Sequence, residues 1–292
     1  MKIKYFIYIF LLTALIQAKP VETKDVLMQN GKIGLDFSIL YMNLQSSDNV
    51  VMPQTYQTGN GDFVTVPSYY GTSKSNQDYF SFNTKIKYGL SNNFELFSSI
   101  NMHYSIIHTD FANKYRTSRE WDFGGIDAGA IYQVKQEDDT PAILLGTNIN
   151  VYTKTKQDNK SYTYGFKNFR VFATTFYTVD PIVFSLTGSY SVNLQNKIGN
   201  HTSKMGNLFS LKPMVYFAVN PSTSLYAGIR YTHNGVSKID SKNISNSGSD
   251  ISYIFGGSYE FVSKTILSVE VESKNNNKMK QNSISTSLSY KF

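Results

Sequence analysis

The last eleven residues, Asn282–Phe292, decide the fold, and they read N-S-I-S-T-S-L-S-Y-K-F. Counting by twos from the terminus gives Phe292, Tyr290, Leu288, Thr286 and Ile284, with serines and one lysine between them. Alternate side chains of a β-strand point to opposite faces, so this segment has one apolar face and one polar face. An aromatic residue at the rim of the apolar face is typical of a transmembrane β-barrel, whose apolar side chains face lipid.

The first eighteen residues have the pattern of a secretory signal peptide. Lys2 and Lys4 precede an apolar run of about a dozen residues, which is too short to span a bilayer as a helix. Ala18 is a small residue suited to cleavage. The sequence therefore predicts a signal peptide at 1–18, a loosely ordered periplasmic segment at 19–30 and a barrel at 31–292.

The composition fits a barrel better than a helical membrane protein. The mean hydropathy is −0.29, while the chain has 22 Tyr, 20 Phe and no Cys. A barrel strand is half polar, so its hydropathy averages out. The lack of Cys excludes disulfides, thiolate metal sites and a lipoprotein anchor. The net charge of +7 is too modest and diffuse to indicate a nucleic-acid partner.

Period-two patterning predicts about twelve strands, which fits an all-β, antiparallel up-and-down transmembrane barrel. The predicted segments are 31–44, 78–89, 94–106, 122–134, 141–153, 167–179, 182–194, 207–219, 223–235, 250–261, 265–273 and 282–292. Two more apolar segments flank Gly59-Asn60-Gly61 within 50–70, so fourteen strands are the alternative. Pro53 and Pro67 disfavour spanning strands there and favour a hairpin that lies outside or folds inward.

The connections alternate between short turns and long polar loops, as in an outer-membrane barrel with periplasmic turns and external loops. The short ones are 90–93, 135–140, 180–181, 220–222 and 262–264, and they contain the Asn, Asp and Pro typical of turns. An even strand count places both termini with these turns. The aromatic-rich loop 45–77 is the predicted plug of the lumen.

No group of residues indicates catalysis. The four histidines are scattered, so they predict no metal site and no cofactor. A lipid hydrolase of this architecture needs Ser and His on the lipid-facing side. Ser105 and His103 share a face with Glu95, which is the lumen face. The sequence therefore predicts no enzyme.

Charged residues within strands are expected to face inward, because a Lys or Arg facing lipid at mid-bilayer costs about 2–4 kcal/mol. The candidate pore-lining residues are Glu95, Asp127, Arg170, Lys212, Arg230 and Glu270. Asp36, Lys85, Lys87, Glu260, Glu272 and Lys291 are expected on the same polar faces. This mixture of signs fits either a closed network of ion pairs or the wall of a water-filled path.

The predicted partners follow from the two ends of the barrel. The long loops carry Lys154, Lys156, Lys160, Lys197, Lys204, Lys238, Lys242, Lys274, Lys278 and Lys280, which suit either plain solvation or contact with lipopolysaccharide phosphates. The last strand, ending at Phe292, resembles the C-terminal assembly signal of bacterial outer-membrane proteins. That resemblance implies recognition by the barrel-assembly machinery.

A turn near the second strand carries a more specific resemblance. Tyr88–Leu96 reads Y-G-L-S-N-N-F-E-L, which resembles the Y-G-L-T-(D/N)-x-(F/L)-E-L turn of the transporter family of the MetA pathway of phenol degradation. Pro141–Gly146 is similar to a later strand of that family. The resemblance covers about 80–292 and implies an outer-membrane channel for passive passage of small, including hydrophobic, organic solutes. The alternative is a non-conducting surface barrel that acts as an adhesin or structural protein through its loops.

Overall fold

Twelve long β-strands form the main body of the protein in the computed structural model, which describes residues 26–46, 54–57, 61, 63–66, 74–111, 114–157, 160–198, 201–262, 264–275 and 279–292. In chain order they are β1 Ile33–Ser46, β2 Lys74–Ser91, β3 Phe94–Phe111, β4 Lys114–Lys135, β5 Ala142–Gln157, β6 Asn168–Val179, β7 Ile182–Asn193, β8 Leu208–Asn220, β9 Thr223–Asn234, β10 Gly248–Val262, β11 Thr265–Asn275 and β12 Met279–Lys291. The predicted signal peptide lies outside the described residues.

The strands close into a cylinder. Each pairs antiparallel with its neighbours in sequence, and β1 pairs with β12 from Gly34↔Lys291 to Ser46↔Met279. Closure gives every strand two partners, which is how a β-structure satisfies its backbone polar groups within lipid. The twelve-strand prediction is confirmed, because the hairpin at Gln54–Gln57 and Phe63–Val66 pairs only with itself.

The two faces of the wall differ as the alternation predicts. Along the first half of β12, Met279, Gln281, Ser283 and Ser285 are buried while the intervening side chains are exposed. Outward side chains such as Ile284 and Phe255 are 43% and 62% exposed, as expected for groups that meet lipid rather than protein. The buried inner face carries many polar and charged side chains, while most large exposed apolar side chains lie on the outer face, as expected for a barrel in lipid.

The two ends of the cylinder are unequal. The five hairpin turns at the end near the termini are short, for example the pair 180–181 between β6 and β7. At the other end, Lys160–Tyr164 extends the barrel wall as a partner of β5, and Asn196–Ile198, His201–Lys204, Lys238–Ile239 and Lys242–Asn243 form a separate four-stranded sheet. We call this second structure the outer sheet.

Candidate functional site: the lumen

The inner wall carries all six predicted pore-lining side chains. Glu95, Arg170, Lys212, Arg230 and Glu270 are each at most 5% exposed, and Asp127 is half-buried. Their strand neighbours point outward and are mostly exposed. The structure therefore places these residues on one surface, the inner wall. They do not form a single cluster, because they take part in separate ion pairs and hydrogen bonds.

Two ion pairs cross the wall formed by β8–β11. Lys212 Nζ lies 3.4 Å from Glu270 Oε2, and Arg230 Nη2 lies 3.2 Å from Glu272 Oε2. Glu272 also accepts a hydrogen bond from Ser252 Oγ on the intervening strand β10. Each pair joins strands that are not neighbours, so the charges span the curved inner surface. All four charged side chains are at most 6% exposed.

The opposite wall holds its charges mainly through amides. Asp127 accepts hydrogen bonds from Asn101 Nδ2 and Asn150 Nδ2, both at 2.8 Å. Asn101 in turn accepts one from Asn83 Nδ2 at 2.6 Å. Nearer the short turns, Lys87 Nζ lies 2.8 Å from Asp36 Oδ2. Amide and carboxylate groups therefore fix this part of the wall in one arrangement.

Arg170 lies between the two walls along the chain. Its Nε donates a hydrogen bond to Ser191 Oγ at 2.6 Å, which joins β6 to β7. Lys274, predicted in an external loop, instead turns inward at the end of β11. Its Nζ lies 2.6 Å from Asp250 Oδ2, and both side chains are 8% exposed. The predicted loop position of Lys274 is wrong, because the strand continues to Asn275.

Apolar side chains also face the lumen, and the sequence analysis missed them. Leu40, Met42 and Tyr79 form one buried cluster on β1 and β2. Met214, Tyr226 and Ile254 form a second, against which Tyr216 packs. The available signal was their phase, because Leu40 and Met42 are separated by even numbers of residues from the inward Asp36. The lumen lining is therefore amphipathic.

The N-terminal segment, residues 26–32, enters the mouth of the barrel beside the short turns. Leu27 packs against Ala142, Leu144 and Phe176 inside the wall. Met28 is 2% exposed, and its backbone N–H donates a hydrogen bond to Glu95 Oε2 at 2.8 Å. Leu27 and Met28 are therefore packed where the sequence predicts a loosely ordered segment at 19–30, and 19–25 lie outside the described part.

Gly89 makes this docking possible. Gly31 N donates to Gly89 O at 2.8 Å, and Gly89 N donates to Lys32 O at 3.0 Å. A Cβ at Gly89 would lie 2.1 Å from Gln29 O, closer than real contacts allow. The glycine of the Y-G-L-S-N-N turn is therefore the point at which the N-terminal segment touches the barrel wall.

A second segment reaches the lumen from the side of the long loops. Gly61, between the two short strands Gln54–Gln57 and Phe63–Val66, lines a small cavity together with Lys85, Ser99 and Asn148 of the inner wall. This cavity has a volume of about 10 Å³, which is room for about one water molecule. We call the paired strands Gln54–Gln57 and Phe63–Val66 the lumen hairpin. The cavity at Gly61 agrees with the inward-folded alternative for this part of loop 45–77, and its role as a plug stays a prediction.

The predicted absence of catalytic groups stays a prediction. His103 is 4% exposed, packs against Tyr79 at 5.3 Å between ring centroids, and fits beside the β-bulge glycine Gly124. Within the described residues, no three His, Asp or Glu side chains are grouped as metal ligands. The same part of the chain contains no helix long and apolar enough to cross a membrane.

The closed wall, its lipid-facing aromatics and its polar lumen define an outer-membrane β-barrel. The sequence of residues 128–292 matches the family described as "Outer membrane protein beta-barrel domain", which is more than half of the chain. The protein therefore belongs to this family and resides in the outer membrane. No curated protein sequence gives a significant match.

Solved structures share the fold. An outer membrane channel from Pseudomonas putida F1 is 14% identical with a TM-score of 0.65, and the alignment covers 94% of this chain and 100% of the channel. The NanC porin is 11% identical with a TM-score of 0.50, covering 88% and 98%. The β-domain of the Bordetella autotransporter BrkA is 9% identical with a TM-score of 0.50, covering 90% and 100%. At these identities the similarity concerns the fold alone.

Proposed function

We propose that the protein is a channel for passive passage of small organic solutes, including hydrophobic ones, and that the described conformation is its closed state. The position of Gly61 among inner-wall residues carries this proposal. In this proposal, the hairpin around Gly61 fills space that the wall itself leaves open. The fold of the Pseudomonas putida outer membrane channel is similar, which supports this assignment without specifying a solute.

The lumen hairpin is suited to leave the lumen. Its strands, Gln54–Gln57 and Phe63–Val66, have four residues each and pair only with one another, so withdrawal breaks no barrel ladder. The inner wall holds its charges in ion pairs and amide contacts of its own. A twelve-stranded wall is wide enough for a narrow channel once its interior is vacated.

The amphipathic lining favours small organic solutes over simple ions. Apolar clusters around Met42 and Ile254 alternate with charged pairs of both signs. Such a wall offers contact to apolar groups and hydrogen bonds to polar ones, while its mixed charge favours neither cations nor anions strongly. The resemblance to the MetA-pathway transporter family agrees with this class of solute.

Conductance in a planar bilayer tests the proposal. The refolded mature protein should show rare or small current steps, and replacement of residues 54–66 by a short Gly-Ser linker should give frequent, reproducible steps. The matched control shortens the turn at 240–241 in the outer sheet, which lies outside the lumen, and should leave the current unchanged. A folded hairpin-deleted barrel that stays silent, and that admits no small aromatic solute into liposomes, overturns the channel.

Thiol labelling tests the plug separately from conduction. The natural sequence has no Cys, so a single introduced thiol is a clean reporter. Ser99→Cys places it in the cavity beside Gly61, and Ser287→Cys places it on the inner face of β12, away from that cavity. Deleting the lumen hairpin should accelerate labelling at position 99 by a water-soluble reagent much more than at 287. Equal acceleration at both positions contradicts the plug.

The outer sheet favours the alternative of a surface-binding protein. It orders the long loops between β7 and β8 and between β9 and β10 into one structure. An adhesin needs such an ordered surface and no open lumen. Two results together would favour the adhesin over the channel. Cell binding would be lost when these loops are shortened, and solute uptake would be unchanged after removal of the lumen hairpin.

A further inference from the structure

A groove opens on the outer surface of the barrel, at the level where the outer sheet joins β7–β9. Its volume is about 350 Å³. Its lining includes aromatic side chains of the barrel wall and lysines of the outer sheet. We call it the outer-rim groove, and none of its residues belongs to the lumen described above.

The barrel side of the groove is a row of three rings. Tyr190 is the register partner of Phe209, and Phe209 is the partner of His233, so the three side chains share the outward face. Tyr190 and Phe209 are 43% and 39% exposed. All three lie near the loop ends of their strands. Aromatic residues at this height form the interfacial girdle of a barrel, next to the lipid headgroups.

The other side of the groove carries a like-charge pair. Lys204 and Lys238 are directly opposite each other in the outer sheet, and both are exposed. Residues in this relation have their Cβ atoms about 4.5–5.5 Å apart, and like charges there are destabilising. An anion held between the two ammonium groups would remove that repulsion.

The neighbouring carboxylate does not serve this purpose. Asp240 Oδ2 lies 2.6 Å from His201 Nδ1, and Asp240 Oδ1 accepts a hydrogen bond from Thr202 N at 2.8 Å. Among the described residues, neither Lys204 nor Lys238 forms an ion pair with a carboxylate. No carboxylate of the described residues therefore offsets the repulsion between the two ammonium groups, and an anionic ligand could do so.

We propose that the outer-rim groove binds a phosphorylated glycolipid of the outer leaflet, with a phosphate between Lys204 and Lys238 and the lipid body along Tyr190 and Phe209. The site stands at the junction of membrane and exterior, where an amphiphile presents an anionic group above an apolar one. A free phosphate would use the lysines but not the aromatic row. Basic residues close to an anionic membrane surface are attracted to it, which favours an anionic lipid at this position.

Binding of lipid A that carries both phosphates tests the proposal. The refolded mature protein in neutral detergent is titrated with this lipid, and complexes are counted by native mass spectrometry. The double variant Lys204→Gln/Lys238→Gln should bind about tenfold more weakly, the loss expected for one charge-assisted contact. Lys197→Gln/Lys242→Gln removes equal charge from the same outer sheet without touching the groove, and should bind like the natural protein.

A second variant pair distinguishes a lipid from a free anion. Phe209→Ala should weaken binding of the phosphorylated lipid, whereas Phe217→Ala, on the same outward face at the opposite end of β8, should not. Heat-modifiable migration on a gel checks that each variant is folded. Equal binding by the two lysine double variants overturns the site. Displacement of the lipid by equimolar inorganic phosphate, or full binding of dephosphorylated lipid A, overturns the lipid-phosphate assignment.

Discussion

The Arg230–Glu272 pair offers a measurement of how dry the lumen is. The two groups are 3.2 Å apart and at most 5% exposed. Their attraction is about 5 kcal/mol at an effective dielectric constant near 20, and about 1 kcal/mol in bulk water. Glu272→Gln keeps the shape of the side chain and removes its charge. Because it leaves a buried guanidinium without this carboxylate, we expect it to lower the free energy of unfolding by about 3–5 kcal/mol.

The assay is unfolding by guanidinium in lipid vesicles, followed by fluorescence of the single tryptophan. Trp121 is 60% exposed and points outward, so its emission reports on contact with lipid. The matched control is Lys135→Gln, since Lys135 forms a pair of similar length, 3.1 Å, with the exposed carboxylate of Asp138 in the short turn between β4 and β5. That variant should change nothing measurable. A loss below about 1 kcal/mol for Glu272→Gln would refute a dry lumen and indicate a hydrated pair.

Three further predictions concern the ends and the wall. Gly89→Ala should displace the N-terminal segment and lower the free energy of unfolding by about 2 kcal/mol or more, because buried apolar area is lost. In the same guanidinium unfolding assay Gly188→Ala should cost little, since a Cβ there would make an ordinary contact at 3.8 Å. Two hydrogen bonds from the turn threonine lower the pKa of Asp138 to about 2 from 3.8. The contribution of Asp138 to the free energy of unfolding should therefore be complete above pH 3.8 and be lost as the pH falls through 2. The variant Asp138→Asn should lack this pH dependence, and unfolding curves of both proteins over a pH series check the difference. If the lumen conducts, Arg170→Glu in the hairpin-deleted barrel should shift reversal potentials toward cation preference, and Arg170→Gln should shift them less; an unchanged potential would place the ion path elsewhere.

Period-two alternation was enough to predict the barrel because lipid imposes it on every spanning strand. The outward face must be apolar. The positions of Ile182, Phe184 and Leu186 therefore identify β7 as a strand and show which of its side chains face lipid. The same constraint placed Arg170 and Arg230 inside, since charge is costly in lipid. The short turns could be predicted as well, because two-residue connections need particular backbone conformations and therefore particular residue types.

Beyond the bilayer both faces of a strand meet water, and the alternation stops. For this reason the pattern predicts a start of β4 at 122 and a loop position for Lys274, whereas β4 begins at Lys114 and β11 extends to Asn275. The apolar lumen residues were missed for a related reason. Inward positions are free to be polar or apolar, so Leu40 and Ile254 carry no signal of their own beyond their phase.

What fills the lumen follows from long-range contacts that no local pattern encodes. Leu27 packs with Phe176, and Gly61 lines a cavity with Lys85, across large separations in sequence. The local sequence nevertheless contains a signal that can be interpreted once the barrel is known. Leu27 and Met28 are an apolar pair in a mostly polar N-terminal segment, and Gly89 is a glycine at a position where a strand does not require one. Residues that break the rules of a spanning strand are therefore the ones to inspect for segments that enter the lumen. By that criterion, the N-terminal segment and the lumen hairpin, rather than the charged wall, are where opening of this barrel would be controlled.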